Sequence, residues 1–234
     1  DHVAARYVLN MLEDRRIEQV ECETSDDITL RWLINGKRFV EYVQVKSNDV
    51  DRWNWALLTK RDIAKSPTSI VEKSLLCDRG PEPGHFRIFT RNGVHSGLAA
   101  LTVPLAKRGP TDLDDLSARL TKKYPTISAR GSNLDYWARH AFWEALSTED
   151  DIRAKNVWIV ATLCDGDGCS LRSEQIVTLY RDILELVERA AAADRRVPAD
   201  KILTRETMRL WWSDRLRSLV ATRPGLGLPY RIAM

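Results

Sequence analysis

The dipeptide Asn35-Gly36, set between "DITLRWLI" (27–34) and "KRFVEYVQVK" (37–46), constrains this chain more than any other feature. Both flanking runs alternate apolar and polar residues, and Asn-Gly supplies two residues that tolerate positive φ, so the segment predicts a tight hairpin. A two-residue turn pairs Ile34 with Lys37, and every cross-strand pair then sums to 71. Carried to the open end, this register sets Asp27 opposite Gln44, with Lys46 two residues further on the same face. The other face carries Ile28, Leu30, Trp32, Ile34, Phe39, Val43 and Val45, interrupted mainly by Glu41, and reads as the core face.

A carboxylate, an amide oxygen and an ammonium gathered at one point have a chemical use. Mg²⁺ takes oxygen ligands while keeping waters and substrate phosphates. A lysine beside it can orient or deprotonate a water, or hold a non-bridging phosphate oxygen. Solvated Asp, Gln and Lys side chains also end many ordinary strands, so spacing alone leaves both readings open.

Around the hairpin, apolar spacing predicts a helix over 3–16 and a short strand over 17–23. A helical or loop excursion over 51–65, a helix over 68–77 and a strand over 85–91 follow. Further helices are predicted at 111–123, 133–146, 173–194 and 204–221, with "NVWIVATLC" (156–164) as a buried strand or apolar connector. Leu179, Ile183, Leu186, Val187 and Ala190 form the core stripe of one of these helices. The tail "RPGLGLPYRIAM" (223–234) has the Pro/Gly content of a loop or linker. The organisation expected is a core over 1–110 and a mainly helical extension over 111–234 packed on it as part of the same domain.

Several classes of function are disfavoured. No apolar run approaches the roughly 20 residues of a membrane span, so no membrane association is expected. Cys22, Cys77, Cys164 and Cys169 are scattered, as free thiols in a reducing cytoplasm would be. Cys164 and Cys169 bracket "DGDG", but zinc spacing is missing, and Ile176 stands where a calcium loop needs its bidentate glutamate; a tight turn is expected. The four histidines show no triad or metal-pair spacing. A net charge of +3, from 36 basic and 33 acidic residues, leaves nucleic-acid binding to local clustering.

The order αβββαβ, with an acid opening the second strand and Gln-x-Lys on the third, resembles the PD-(D/E)XK nuclease superfamily, in the variant where glutamine replaces the second acid. "HVAARYVLNMLED", "YVQVKS", "SIVEKSLL", "FRIFTRNGV" and "KILTRETMRLWW" more closely resemble the double-stranded DNA endonuclease domain of CBASS effectors. CBASS is the cyclic-oligonucleotide-based antiphage signalling system of bacteria. The resemblance implies an α/β restriction-endonuclease-like fold, with a mixed central sheet flanked by helices and a helical C-terminal part. It implies that Asp27 and Gln44 bind Mg²⁺ (Mn²⁺ substituting) together with the Val45 backbone carbonyl, that Glu23 is a candidate extra ligand, and that Lys46 is the catalytic lysine. Asp26 stands where the motif name has proline, a loose position. The resemblance further implies double-stranded DNA as substrate, a cyclic oligonucleotide acting through a sensor domain not seen in this chain, and homo-oligomeric assembly on activation. Arg52, Lys60, Arg61, Arg87 and Arg91 are the candidate phosphate contacts. Two other readings stay open. One is a restriction-like nuclease of another defence system, ATPase-partnered or directed at modified DNA. The other is a non-catalytic DNA-binding or oligomerisation module.

Overall fold

A computed structural model describes residues 1–24, 26–47, 51–146 and 148–221. The Pro/Gly-rich tail at 223–234 lies outside the described residues. The chain runs α1 (His2–Glu13), β1 (Ile17–Cys22), β2 (Ile28–Ile34), β3 (Lys37–Lys46), α2 (Trp55–Thr59), α3 (Ile70–Leu76) and β4 (Gly84–Thr90). It continues through α4 (Asp114–Lys123), α5 (Leu134–His140), β5 (Ala141–Ala145), α6 (Glu149–Gly166), α7 (Ser173–Ala192), β6 (Ile202–Thr204) and α8 (Arg205–Ala221). The order expected for the first part, helix, three strands, helix, strand, is present, with the short α2 inserted after β3.

Contacts divide the residues into two compact units, one of residues 23–149 and one of residues 1–22 with those from 150 onward. The first holds a mixed sheet in the order β5-β4-β3-β2. β2 and β3 are antiparallel, and β3/β4 and β4/β5 are parallel. In the second, β1 pairs antiparallel with β6, and α7 buries Leu179, Ile183, Val187 and Ala190 along the expected stripe. Asn156 on α6 donates to the His2 carbonyl (2.9 Å), and the Trp212 indole on α8 donates to Asp167 (2.8 Å).

The hairpin forms in the register its turn dictates, from Ile34↔Lys37 to Ile28↔Val43. Asn35 (φ 50°) and Gly36 (φ 75°) both occupy the left-handed region. A Cβ at Gly36 would meet no neighbour, so only backbone strain opposes one. Gly36→Ala is therefore expected to lower stability by about 1 kcal/mol, read as a shifted denaturation midpoint with unchanged slope.

The assignment of one polar and one core face to this hairpin needs correction. The face carrying Gln44 also carries Val40 and Tyr42, both buried in the main hydrophobic cluster with Val71, Leu75, Phe86 and Trp137. The opposite face is buried at Ile28, Leu30 and Val43 and half-buried at Trp32, Ile34, Phe39 and Val45. β3 is covered on both faces because parallel pairing with β4 places it inside the sheet, where helices pack.

Two element assignments also change. The helix expected over 133–146 stops at His140, and "AFWEA" is the strand β5. Its alternation buries Ala141 and Trp143 while completing the parallel pairing of β4. "NVWIVATLC" lies within α6 rather than in a strand or connector. Only Asn156, Val160 and Cys164 of that run are buried, four residues apart on one stripe, and Trp158 is 69% exposed. The turn expected at "DGDG" is present, with Gly168 at φ 70°.

Candidate active site

β3 positions the candidate residues by its two ladders. Parallel pairing sets Gln44 beside Ile88, Val45 beside Phe89 and Lys46 beside Thr90 of β4. On the other side the antiparallel ladder reaches Ile28↔Val43, one step short of Asp27 and Gln44. There the chain turns sharply: exposed Glu23 adopts φ 50°, and its N–H donates to the Asp27 carbonyl (3.0 Å). The Asp27 carboxylate closes the remaining gap, with Oδ2 accepting from the Val45 backbone N–H at 2.7 Å. Asp27 thus reaches the third strand at Val45 through its side chain, while the expected Asp27–Gln44 pair is not part of the ladder.

Gln44 is only 4% exposed, and its Oε1 is buried without a hydrogen-bonding partner. An orphaned buried acceptor costs about 1–3 kcal/mol, a cost that a ligand with a positive end would offset. Lys46 is half-buried at the strand end, and its charge acts on the Asp26 carboxylate.

Asp26 is the residue that sequence reasoning passed over. Its Oδ1 accepts from the Asp27 N–H (3.0 Å), whereas its Oδ2 is buried with no partner. Burial, then the neighbouring Asp27 charge, pushes this carboxyl up to about 6, with the Asp27 N–H and the Lys46 charge acting in the opposite sense. The Cys77 thiol, at the end of α3, lies alongside. Burial, then the Asp26 charge, pushes it up to about 12, so it is a neutral thiol and a poor nucleophile. The only hint in sequence was the doubled acid of "SDDI".

The donor types suit a hard divalent cation: carboxylate oxygens at Asp26 and Asp27 and an unpartnered amide oxygen at Gln44. Among the described residues no group of three or more His, Cys, Asp or Glu side chains converges to hold a metal, so the amide oxygen is needed to complete any such set. His85 and His140 lie in an aromatic stack, their rings 5.4 Å apart. Burial, then His140, pushes His85 down to about 4, which makes it a neutral packing ring.

The five candidate phosphate contacts divide. Arg61 donates to both oxygens of buried Glu72 (2.5 and 2.9 Å) and lies over the Tyr124 ring. Arg87 bridges Glu41 (2.8 Å) and Glu144 (2.7 Å) across β3, β4 and β5. Both guanidiniums are engaged within the fold. Arg52, Lys60 and Arg91 are exposed.

Comparison with known proteins gives the family. The family described as "Cap4, dsDNA endonuclease domain" matches residues 1–191, and the chain belongs to it. Anti-bacteriophage protein A of Escherichia coli (strain K12) is 31% identical over 233 residues, covering 92% of this chain and 42% of that protein. A solved Cap4 SAVED/CARF-domain containing receptor from Acinetobacter baumannii, with the cyclic trinucleotide 3'3'3'-cAAA, superposes with a TM-score of 0.56 at 10% identity. It covers 93% of this chain and 44% of the receptor. The Moraxella osloensis Cap4 receptor gives 0.51 at 11% identity, over 93% of this chain and 47% of its own. The chain thus spans less than half the length of these relatives. The resemblance to the CBASS effector nuclease holds; at these identities the solved receptors speak for the fold alone.

Proposed function

We propose that this domain hydrolyses phosphodiester bonds of double-stranded DNA in a Mg²⁺-dependent reaction, using its sheet as a PD-(D/E)XK core. One observation carries the reading: the Asp27 carboxylate is tied to the third strand through the Val45 N–H, between Gln44 and Lys46 in sequence. Asp27 and Gln44 would hold the cation with the Val45 carbonyl; bound there, Mg²⁺ supplies a Lewis acid that polarises the scissile phosphate. Lys46 donates to a phosphate oxygen and orients the attacking water. Asp27 is held in place by a backbone hydrogen bond, so it needs no reorganisation when substrate arrives. Arg52, Lys60 and Arg91 neutralise backbone phosphates, and affinity falls with added salt.

In the whole protein, we propose activation through a cyclic-oligonucleotide sensor domain and assembly of nuclease domains, serving antiphage defence. The A. baumannii relative, a receptor solved with a cyclic trinucleotide, supports this reading. The test is plasmid cleavage by full-length protein with the activating oligonucleotide. Cutting is expected with Mg²⁺ and loss of cutting with excess chelator; cleavage that persists under chelation overturns the metal-dependent reading.

A further inference from the structure

We propose that Asp26 is a direct oxygen ligand of the cation site, supplying the negative charge that glutamine at position 44 lacks. The inference rests on the cation-site reading above and extends it to a position where the superfamily motif has no acid.

Each acid of the Asp26-Asp27 pair has one oxygen held by the backbone. Asp26 Oδ1 accepts from the Asp27 N–H at 3.0 Å, and Asp27 Oδ2 accepts from the Val45 N–H at 2.7 Å. This fixes both carboxylates without consuming Asp26 Oδ2, which is buried and unpartnered. The independent observation is Gln44. This side chain is 4% exposed, precedes the Val45 N–H that holds Asp27, and also ends in an unpartnered oxygen. Two oxygens are left without a partner, one on Asp26 and one on Gln44, each next in sequence to a partner of the Asp27–Val45 hydrogen bond. The Cys77 thiol beside Asp26 is a weak donor and does not replace a partner for a carboxylate. Lys46 already acts on Asp26 with one positive charge. A divalent cation would balance the two carboxylates and use the neutral amide as a third oxygen donor.

The experiment measures Mn²⁺ binding to the 234-residue chain by electron paramagnetic resonance, with melting temperature as the folding control. The variants are Asp26→Asn, Asp27→Asn and the double variant Asp26→Asn/Gln44→Glu. Asp26→Asn is expected to weaken Mn²⁺ binding by about 10-fold or more. The double variant, which returns a carboxylate at position 44, is expected to recover most of that loss. Equal affinity of Asp26→Asn and wild type, in a chain that binds Mn²⁺ and loses it with Asp27→Asn, overturns this proposal alone. A double variant that binds no better than the single one also overturns it. A wild-type chain that binds no Mn²⁺ removes the proposal together with the cation-site reading beneath it.

Discussion

Lys46→Ala is expected to reduce DNA cleavage by the activated full-length protein by about 100-fold or more, with DNA affinity changed far less. Lys46 stands at the end of β3, beside Thr90 of β4 and two residues beyond Gln44, so its backbone is held by the parallel ladder. Its charge acts on the Asp26 carboxylate, and in the proposed reaction it would meet the charge that builds on the phosphate during attack. Losing one preorganised positive group from such a site raises the barrier to chemistry rather than to binding. Exposed Arg52, Lys60 and Arg91 would still contact phosphates, so salt dependence should persist in the variant. The half-buried side chain ends a strand whose interior is intact, so the melting temperature should stay close to wild type. Single-turnover cleavage and equilibrium DNA binding, measured on the same preparation, separate the two effects. Cleavage by Lys46→Ala at the wild-type rate would remove the central claim about the site.

What was legible in the sequence was local. The hairpin and its register follow from Asn35-Gly36 and period-two alternation, both readable within twenty residues. The register also brings Asp27 near the end of β3, where its carboxylate takes the Val45 N–H. What escaped depends on partners distant in sequence. Arg61 and Arg87 read as surface cations, yet each meets a carboxylate 11 to 57 positions away. Asp26 is half-buried beside Cys77, at the end of a helix the hairpin pattern does not mention. β5 was hidden because its five residues continue a helix-forming run, and only pairing with β4 decides the matter. The long apolar run of α6 misled in the opposite direction, since hydrophobicity without period does not separate a strand from a helix.

Glu72→Ala is the substitution expected to cost the most stability among those considered, about 3 kcal/mol. Glu72 is fully buried at the third position of α3, where it closes a capping box with Ser69 and accepts from Arg61 and Thr126. Removing it deletes the side-chain half of the capping box and leaves the Arg61 guanidinium without its carboxylate. Arg61 is partly exposed and can turn toward water, so the low end of the range for a broken buried pair applies. The effect should depend on pH in a defined direction. Burial raises the Glu72 carboxyl, but hydrogen bonds from Arg61, Ser69 and Thr126 outweigh it and hold the group below the ordinary glutamate range. A depressed native pKa contributes stability above the unfolded value of about 4.3, and that contribution fades as pH falls through the native value. The difference between wild type and Glu72→Ala should therefore be full at pH 7 and shrink in acid, as read by urea denaturation at pH 7 and below pH 4. A gap that stays constant across that range would mean the ion pair contributes nothing and only packing and the cap are lost. The same measurement bears on function, because a guanidinium needed to hold α3 in place is a poor choice for a phosphate contact. Arg61→Ala should accordingly lower stability, while the salt dependence of DNA binding, measured where the variant stays folded, is left unchanged.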